Sequence, residues 1–313
     1  MAQRLVTVFG GSGFVGRYIV ERLAKEGARV RVAVRHPNEA LFLKPLGDLG
    51  QIQLWAANLK NEQSVRRAIH GADAVINLVG ILYNSGGQTF RALQAKGAAC
   101  VARVAAEEGV QQLVHLSAIG AAMDSASKYA RTKAEGERAV LEAFPKATIL
   151  RPSVVVGAED GFFNRFAKLI KLFPLLPIPG AETKFQPVFV DDVARAAVTA
   201  IHGGEPFEGN VFELGGPQVL SLRALLEELM DHIGTHRPVI GLPWWVATLQ
   251  ATFMQMLPNP PLTRDQVTLL KSDNVVSPGA MGFEAFGIKP LSITAVLPRY
   301  STQYKPKGQF HLS

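Results

Sequence analysis

The chain has 313 residues, of which 48% are hydrophobic and 19% charged, which suits one large α/β domain or one domain with an appended lobe. Its single cysteine, Cys100, excludes an intramolecular disulfide framework and lies in an alanine-rich helical pattern typical of a buried thiol. The formal net charge is +7, but the Lys and Arg residues are dispersed, so we expect no nucleic-acid partner. We predict instead a docking surface for acidic protein or anionic lipid, with a merely solvated surface as the alternative. We also expect no metal site.

A glycine-rich turn follows the first predicted element. Leu5–Phe9 reads as an apolar strand, residues 10–16 (GGSGFVG) as the turn, and residues 17–26 as a helix. Glycines at three spaced positions suit a dinucleotide pyrophosphate, because they permit a sharp turn, close phosphate approach and close helix packing. The helix N-terminus then faces the phosphates with its N–H groups. The sequence predicts cofactor binding here, with an ordinary strand-ending turn as the alternative.

The second predicted strand, residues 28–34, narrows the choice of cofactor. Sites that prefer NAD usually place an acid at the end of this strand, where it accepts from the ribose 2′-hydroxyl. Arg35 stands there instead, and a guanidinium pairs with a 2′-phosphate through two parallel hydrogen bonds. We therefore predict NADP(H), and specifically NADPH, with a merely solvated arginine as the alternative.

Strand and helix patterns continue to alternate up to residue 150. The predicted strands are Ile52–Ala56 and residues 74–80, 113–117 and 148–150; the predicted helices are residues 61–70 and 90–108 and Lys128–Ala143. Repeated βα units predict a Rossmann-like, doubly wound parallel sheet covered by helices on both faces. Ligands bind outside the carboxyl ends of such strands, where the glycine turn, Arg35, Gly80 and Ser117 all fall.

The regular alternation of strand and helix patterns ends after residue 150, where prolines cluster and short strands and helices mix irregularly. We predict a cofactor-binding core over residues 1–150 and a smaller, irregular C-terminal α/β lobe with a docking tail over residues 151–313. Asp191 and Asp192 precede a predicted helix at residues 193–202 and offer caps for it, and Leu222–Ile233 reads as an amphipathic helix. Residues 238–257 are apolar but interrupted by Pro, Thr and Gln, which favours a core or interfacial helix over a membrane span.

A pair of side chains in the predicted helix Lys128–Ala143 could carry chemistry. Tyr129 and Lys133 are four residues apart and share one helix face. We expect the ammonium to lower the phenol pKa, so that Tyr129 exchanges a proton with a carbonyl or alcohol. Ser117, at the preceding strand end, would hydrogen-bond the same oxygen.

Several motifs together resemble the extended and atypical short-chain dehydrogenase/reductases over residues 4–235. They are GGSGFVG at 10–16, NLVG at 77–80, Ser117, and YARTK at 129–133. The resemblance implies that Tyr129 is the acid/base, that Lys133 holds the nicotinamide ribose, that Ser117 orients substrate and that residues 151–154 flank the nicotinamide. The cofactor-binding residues expected from motif and resemblance together are Gly10, Ser12, Gly13, Phe14, Val15, Gly16, Arg35, Asn58, Leu59, Leu78, Val79, Gly80, Ser117, Tyr129, Lys133, Pro152, Ser153 and Val154.

A narrower resemblance spans nearly the whole chain. The segments VAVR at 32–35, YARTKAEGE at 129–137, LRPSVVVG at 150–157, GFFNRFA at 161–167, FQPVFVDDV at 185–193 and LPNPPLT at 257–263 are similar to the dehydrogenase-like accessory subunit of respiratory complex I (NADH:ubiquinone oxidoreductase), in its bacterial form. This resemblance implies a tightly held NADPH without established turnover. It also implies a peripheral place near the quinone-reaction region, on the cytoplasmic face of the inner membrane. Separately, the first predicted strand begins within four residues of Met1, so we expect a cytoplasmic bacterial protein without a signal or transit peptide, or an already processed one.

Two further functions stay open from the sequence. The retained Tyr129 and Lys133 suit an NADPH-dependent reductase or epimerase acting on a small carbonyl or nucleotide-sugar substrate, and a redox sensor of the NADP(H) pool is a third reading. The third strand is followed by Asn58, where reductases commonly carry an aspartate toward adenine. An asparagine still hydrogen-bonds a base edge, so we retain the adenine contact.

Overall fold

Strands and helices alternate through the first half of the chain in the computed structural model, which describes residues 4–305. The strands are β1 Leu5–Phe9, β2 Arg29–Val34, β3 Ile52–Ala56, β4 Ala74–Asn77, β5 Gln112–Leu116, β6 Thr148–Pro152, β7 Val155–Val156, β8 Leu176–Pro179, β9 Lys184–Phe185, β10 Val188–Phe189, β11 Val211–Leu214, β12 Leu220–Ser221 and β13 Val239–Leu242. The α-helices are α1 Phe14–Lys25, α2 Glu62–Ile69, α3 Lys96–Glu107, α4 Lys128–Ala143, α5 Phe163–Leu172, α6 Val190–Gly203, α7 Leu222–Ile233, α8 Trp244–Met254, α9 Arg264–Leu269 and α10 Ile293–Val296. A π-helical turn, Arg91–Ala95, precedes α3, and 3-10 segments include Pro37–Leu46 and Phe283–Phe286.

Seven parallel strands form the central sheet in the order β11-β6-β5-β4-β1-β2-β3. Val8 of β1 pairs with Val32 on one side and Ile76 on the other, and all three side chains are fully buried. Strands that are buried on both faces have continuous apolar sequences. This explains why the strands of the first 150 residues could be predicted from the sequence. The strand order reverses direction between β1 and β4, so a crevice opens at their carboxyl ends. The predicted Rossmann-like doubly wound fold is confirmed.

Two compact units divide the chain. Within the described residues, the first comprises residues 4–152, 191–214 and 279–288 and contains the seven-stranded sheet. The second comprises residues 153–190, 215–278 and 289–305 and contains three two-stranded sheets, β7 with β10, β9 with β12, and β8 with β13. Two segments beyond residue 152 thus belong to the first unit, and one of them supplies the edge strand β11.

Some element boundaries differ from prediction. Helix α1 begins at Phe14, three residues early, because Gly13 already has the extended backbone of an N-cap. Strand β4 ends at Asn77, because the Asn77 side chain accepts from the Val79 N–H and turns the chain. The expectation that Asp191 or Asp192 caps a helix from residue 193 is wrong: α6 begins at Val190, and both acids lie within its first turn, where they face its positive dipole end.

The apolar segment 238–257 is not one helix. It forms β13, which pairs in parallel with β8, and then the eleven-residue α8. Pro243 separates the two as the N-cap of α8. Among residues 4–305, no helix combines the length and hydropathy needed to cross a bilayer.

Candidate cofactor site

The glycine turn lies at the carboxyl end of β1 and leads into α1. Gly10 has φ +76°, and its carbonyl accepts from the Gly13 N–H at 3.0 Å. A Cβ on Gly16 would lie 2.4 Å from the Gly10 oxygen and 2.6 Å from the Gly11 Cα, so only glycine fits. A Cβ on Gly13 would meet just the Gly10 oxygen, at 3.2 Å, which leaves that side of the turn open. The turn and the uncapped α1 terminus therefore fit a phosphate group.

The segment after β4 lies against this turn. A Cβ on Gly10 would be 3.3 Å from Val79 Cγ2, and the Leu78 N–H donates to the Phe9 oxygen at 3.0 Å. A Cβ on Gly80 would be 3.4 Å from the Lys133 ammonium. The turn, the segment 78–80 and Lys133 thus form one continuous surface at the β1–β4 crevice.

Lys133 is buried and held at the end of β5. Its Nζ donates to the Leu116 oxygen at 2.9 Å, immediately before Ser117. Burial lowers the pKa of Lys133 to about 8, against the opposing effect of Glu137. The Ser117 N–H donates to the Leu150 oxygen at 2.7 Å, but its Oγ is buried and has no hydrogen-bond partner within residues 4–305. Because a buried hydroxyl is normally satisfied, this oxygen suits a ligand that supplies the missing hydrogen bond.

Tyr129 lies one turn before Lys133 on α4. Its ring meets Phe90 edge-on, with 5.8 Å between ring centroids. Burial raises the pKa of Tyr129 to about 12, so the phenol is protonated at neutral pH. The expected lowering of this pKa by Lys133 is wrong, because the phenol is buried and loss of water disfavours its charged form.

Other predicted residues surround the crevice. Arg35 directly follows β2 and is exposed, and Asn58 is exposed after β3, with its Oδ1 accepting from the Lys60 N–H at 3.0 Å. That bond leaves the Asn58 amide nitrogen to donate to a base edge. Ser12, Phe14 and Val15 are half-buried around the turn, whereas Leu59 is buried in the apolar core, and Pro152 is buried with its oxygen accepting from the Ile119 N–H.

Two predicted residues belong to the second unit. Ser153 is buried there, and its Oγ donates to Asn274 Oδ1 at 2.7 Å. The Val154 oxygen accepts from the Val188 N–H at 2.9 Å, next to the β7–β10 pair. Their contact with a cofactor stays a prediction.

A buried polar chain beneath the site was missed from the sequence. The Asn77 amide nitrogen lies 3.2 Å from His115 Nδ1, while its Oδ1 accepts from Val79. His115 Nδ1 is therefore the acceptor, and burial lowers its pKa to about 3, so the ring is neutral. A histidine and an asparagine within otherwise apolar strands were the available signal, because buried polar groups need partners.

Helix α4 packs against the π-helical turn through contacts that the sequence analysis did not predict. Gln94, in the π-helical turn, accepts from the Thr132 hydroxyl at 2.9 Å and donates to the Ile81 oxygen at 2.8 Å. A Cβ on Gly136 would lie 2.1 Å from the Gln94 backbone oxygen, so this glycine permits close approach. Glycine inside a predicted helix was the signal for such packing.

An ion-pair cluster joins α4 to the sheet. Arg151 of β6 donates to both carboxylate oxygens of Glu137, at 2.9 and 2.6 Å, and lies 3.3 Å from Glu213 of β11. The two-point contact with Glu137 raises the pKa of Arg151. Arg151 therefore supports the helix that carries Tyr129 and Lys133, which is a structural role.

Comparison with known proteins agrees with this geometry. Residues 6–215 match the model of the NAD dependent epimerase/dehydratase family. The chain is 36% identical to NADH dehydrogenase (ubiquinone) 1 alpha subcomplex subunit 9, mitochondrial, of Arabidopsis thaliana, over 97% of this chain and 79% of that protein. It is 33% identical to the Mus musculus protein of the same description, over 95% and 81%. In fold it resembles an NADPH-dependent quinone oxidoreductase of Escherichia coli crystallised with NADPH, with a TM-score of 0.74, 20% identity and coverage of 94% and 99%.

Proposed function

The chain belongs to the NAD dependent epimerase/dehydratase family and is homologous to alpha subcomplex subunit 9 of NADH dehydrogenase (ubiquinone), and we propose that it is an accessory subunit of respiratory complex I. The observation that carries the proposal is the extent of the homology. It covers 97% of this chain, well beyond the cofactor-binding region that the wider family shares. The second unit and the tail are therefore part of what the relatives have in common. The partners we propose are the other subunits of the complex.

In this proposal the first unit holds NADPH as a structural ligand. The turn at Gly10–Gly16 would take the pyrophosphate, Arg35 the 2′-phosphate and Asn58 the adenine edge. Lys133 and the unsatisfied Ser117 hydroxyl would hold the nicotinamide end. When bound, NADPH can supply a hydride, but the proposed role is to stabilise the fold and the assembly, because a ligand that binds only the folded state stabilises it by mass action.

We also place the protein peripherally, on the cytoplasmic face of a bacterial inner membrane and near the quinone-reaction region. The net charge of +7 supports attraction to an anionic surface. A large apolar surface on the second unit supports docking rather than a free existence, since monomeric proteins rarely expose such patches.

Native electrophoresis of solubilised membranes tests this function. The tagged protein should comigrate with NADH dehydrogenase activity, and deletion of its gene should reduce the amount of fully assembled complex. A cofactor-site variant, Gly16→Val, should lose NADPH and lower the amount incorporated, because the side chain would strike the backbone of the turn. Gly161→Val provides a comparison of the same size, because a Cβ there meets nothing within 4 Å and the backbone is not left-handed. Migration of the wild-type protein apart from the complex would refute the proposal.

An NADPH-dependent reductase or epimerase is the second candidate. It is favoured by the arrangement of Ser117, Tyr129 and Lys133 at one crevice, with a protonated phenol suited to donate a proton to a carbonyl oxygen. This candidate requires NADPH oxidation that depends on an added carbonyl substrate.

A further inference from the structure

Helix α8, in the second unit, carries its large apolar side chains on the outside. Trp245, Leu249 and Phe253 repeat every four residues and are 72%, 54% and 67% exposed, and Met256, just beyond the helix, is 81% exposed. The buried side of the helix consists of Ala247 and Ala251, which pack against Val267 of α9. A helix of a soluble protein normally has the opposite arrangement. We call these four exposed side chains the α8 face.

The apolar surface continues beyond the α8 face. Strand β13, which leads into α8, exposes Ile240 and pairs with β8. The segment before β8 exposes Leu172, Phe173 and Leu175. Arg165 of α5 also donates to the Pro261 oxygen in the α8–α9 loop, which holds α5 beside the same region. Backbone pairing and this contact therefore bring the two exposed apolar segments close to one another.

Charge is distributed unevenly around this surface. No acidic or basic residue occurs from Pro238 to Thr263. Cations lie on the flanking helices and just after α9, namely Lys168, Lys171, Arg264 and Lys271, and all four are exposed. None of the four has an acidic ion-pair partner within residues 4–305. Lys271 instead lies over the Trp244 ring, 5.9 Å from its centroid.

We propose that the α8 face enters the headgroup–acyl boundary of an anionic phospholipid bilayer, with the surrounding lysines and arginine on lipid phosphates. Two of the cations lie over aromatic rings, Lys271 over Trp244 and Lys171 over Tyr304, at 5.9 and 5.3 Å from the ring centroids. This combination of exposed Trp, Leu and Phe with cations that lack acidic partners at the margin is typical of an interfacial helix. Eleven residues make α8 about 16 Å long, too short to span a bilayer of about 30 Å, so it lies in the plane of the surface.

A lipid surface fits these observations better than a protein partner. A protein interface normally has a polar rim around its apolar centre, with charges complementary to those of the partner. Here the apolar centre is uncharged, and the four named cations outnumber the two acids nearest to them in the chain, Asp265 and Asp273. An excess of positive charge at the margin favours a surface of negative charge. The inference rests on the proposed function for its biological setting only, since vesicle binding needs no other subunit.

Flotation of the NADPH-loaded protein with lipid vesicles tests the proposal. The wild-type protein should float with vesicles rich in phosphatidylglycerol and much less with pure phosphatidylcholine. Leu249→Glu/Phe253→Glu should weaken binding at least about tenfold, because it removes apolar burial and adds negative charge. Leu41→Glu/Leu49→Glu, at exposed leucines of the first unit, adds the same charge and should bind as wild type. Each variant should keep its NADPH and its thermal midpoint, which shows that it is folded.

A second pair of variants tests the charge contribution separately. Lys168→Gln/Lys171→Gln should reduce binding to the anionic vesicles and its salt sensitivity, whereas Lys44→Gln/Lys96→Gln on the first unit should not. The proposal fails if wild type does not float, or if the Glu variants float equally well. If wild type does not float, a second measurement identifies the partner. Loss of comigration with detergent-solubilised complex I in Leu249→Glu/Phe253→Glu would then show that the α8 face is a protein interface. Failure of the proposed function would appear instead as wild-type protein that floats but never comigrates.

Discussion

In the proposed cofactor site, Arg35 is the side chain that would distinguish NADPH from NADH. It follows β2 directly, is exposed, and has no ion-pair partner among the described residues. Arg35→Ala should weaken NADPH binding roughly tenfold or more, because a charge-assisted hydrogen bond contributes about 1.5–3 kcal/mol. NADH binding should hardly change, and calorimetric titration of both cofactors measures the difference. Arg29→Ala, at the opposite end of the same strand, is the control, and equal losses for both cofactors would show that Arg35 does not contact the 2′-phosphate.

A substitution at Tyr129 distinguishes a structural role of the bound cofactor from a catalytic one. Tyr129→Phe keeps the ring against Phe90 and removes the proton donor. In an accessory subunit, the variant should retain bound NADPH and leave NADH:quinone electron transfer close to wild type. In a reductase, carbonyl-dependent NADPH oxidation should fall by about 10²–10⁴-fold, the usual contribution of a general acid. A large loss of electron transfer in a fully assembled complex would contradict the structural role.

Lys133 should give the cofactor-free protein a characteristic pH dependence. Its pKa is lowered to about 8 in the fold, against 10.5 in the unfolded chain. Between those values the unfolded state binds more protons, so the free energy of unfolding should rise with pH, by up to about 3 kcal/mol across the whole window. Tyr129, with its raised pKa, acts in the opposite direction only above pH 10.

Comparison of urea unfolding between wild type and Lys133→Met from pH 7.5 to about 10 isolates the lysine. Cys100, whose pKa is raised by burial, lowers the free energy of unfolding at the upper end of this window in both proteins. The upward slope should be present in wild type and lost in Lys133→Met, which keeps the length of the side chain without its charge. An unchanged slope in the variant would mean that another group causes it.

At the scale of elements, the position of α4 decides whether the site is assembled. The π-helical turn, the Gln94–Thr132 bond and the Arg151–Glu137 pair all fix α4 against its neighbours. Gly136 is the closest point of approach, where a Cβ would lie 2.1 Å from a backbone oxygen. Because a backbone atom cannot move aside as a flexible side chain can, any larger residue must displace the helix.

Gly136→Ala tests that dependence. The overpacked contact should destabilise the protein by about 1–3 kcal/mol, although alanine favours a helix intrinsically, and should weaken NADPH binding through displacement of Lys133. Thermal unfolding and cofactor titration measure the two effects. Gly161→Ala is the matched control, since a Cβ there meets nothing within 4 Å and the backbone is not left-handed. If Gly136→Ala is as stable as Gly161→Ala, close packing of α4 is not limiting.

At the scale of the whole molecule, the cofactor should act as a stabiliser. NADPH at a thousandfold excess over its dissociation constant should raise the free energy of unfolding by about 4 kcal/mol. NADH at the same concentration should do much less, because its affinity is lower. Urea unfolding with each cofactor measures the shift. Equal shifts at equal concentration would contradict the proposed preference for NADPH.

The two units also determine how the tail can be tested. Residues 279–288 return to the first unit, where the Glu213 N–H donates to the Met281 oxygen and Phe286 stacks on Phe207 with 4.8 Å between centroids. Truncation at Gly241 would remove this segment along with α8. Point substitutions on the α8 face therefore separate docking from folding more cleanly than a truncation.

The sequence by itself determined six of the seven strands of the central sheet. Their apolar runs are continuous because parallel strands are buried on both faces, so the pattern carries the topology. The glycine turn could also be predicted from the sequence. Gly16 lies so close to the Gly10 backbone that no side chain fits there, so the turn requires a glycine at this position. Tyr129 and Lys133 were predicted on one face, since helix Lys128–Ala143 has the bounds that its periodicity gave.

Only the tertiary structure decided what depends on residues far apart in the chain. The Tyr129 pKa follows from burial against Phe90, and the Asn77–His115 chain joins two strands. The edge strand β11 joins the sheet from beyond residue 200. The outward apolar side of α8 could not be read from a segment that is apolar throughout. Burial depends on which neighbours reach a side chain: Ala247 and Ala251 are the buried residues of α8, whereas Trp245, Leu249 and Phe253 stay exposed.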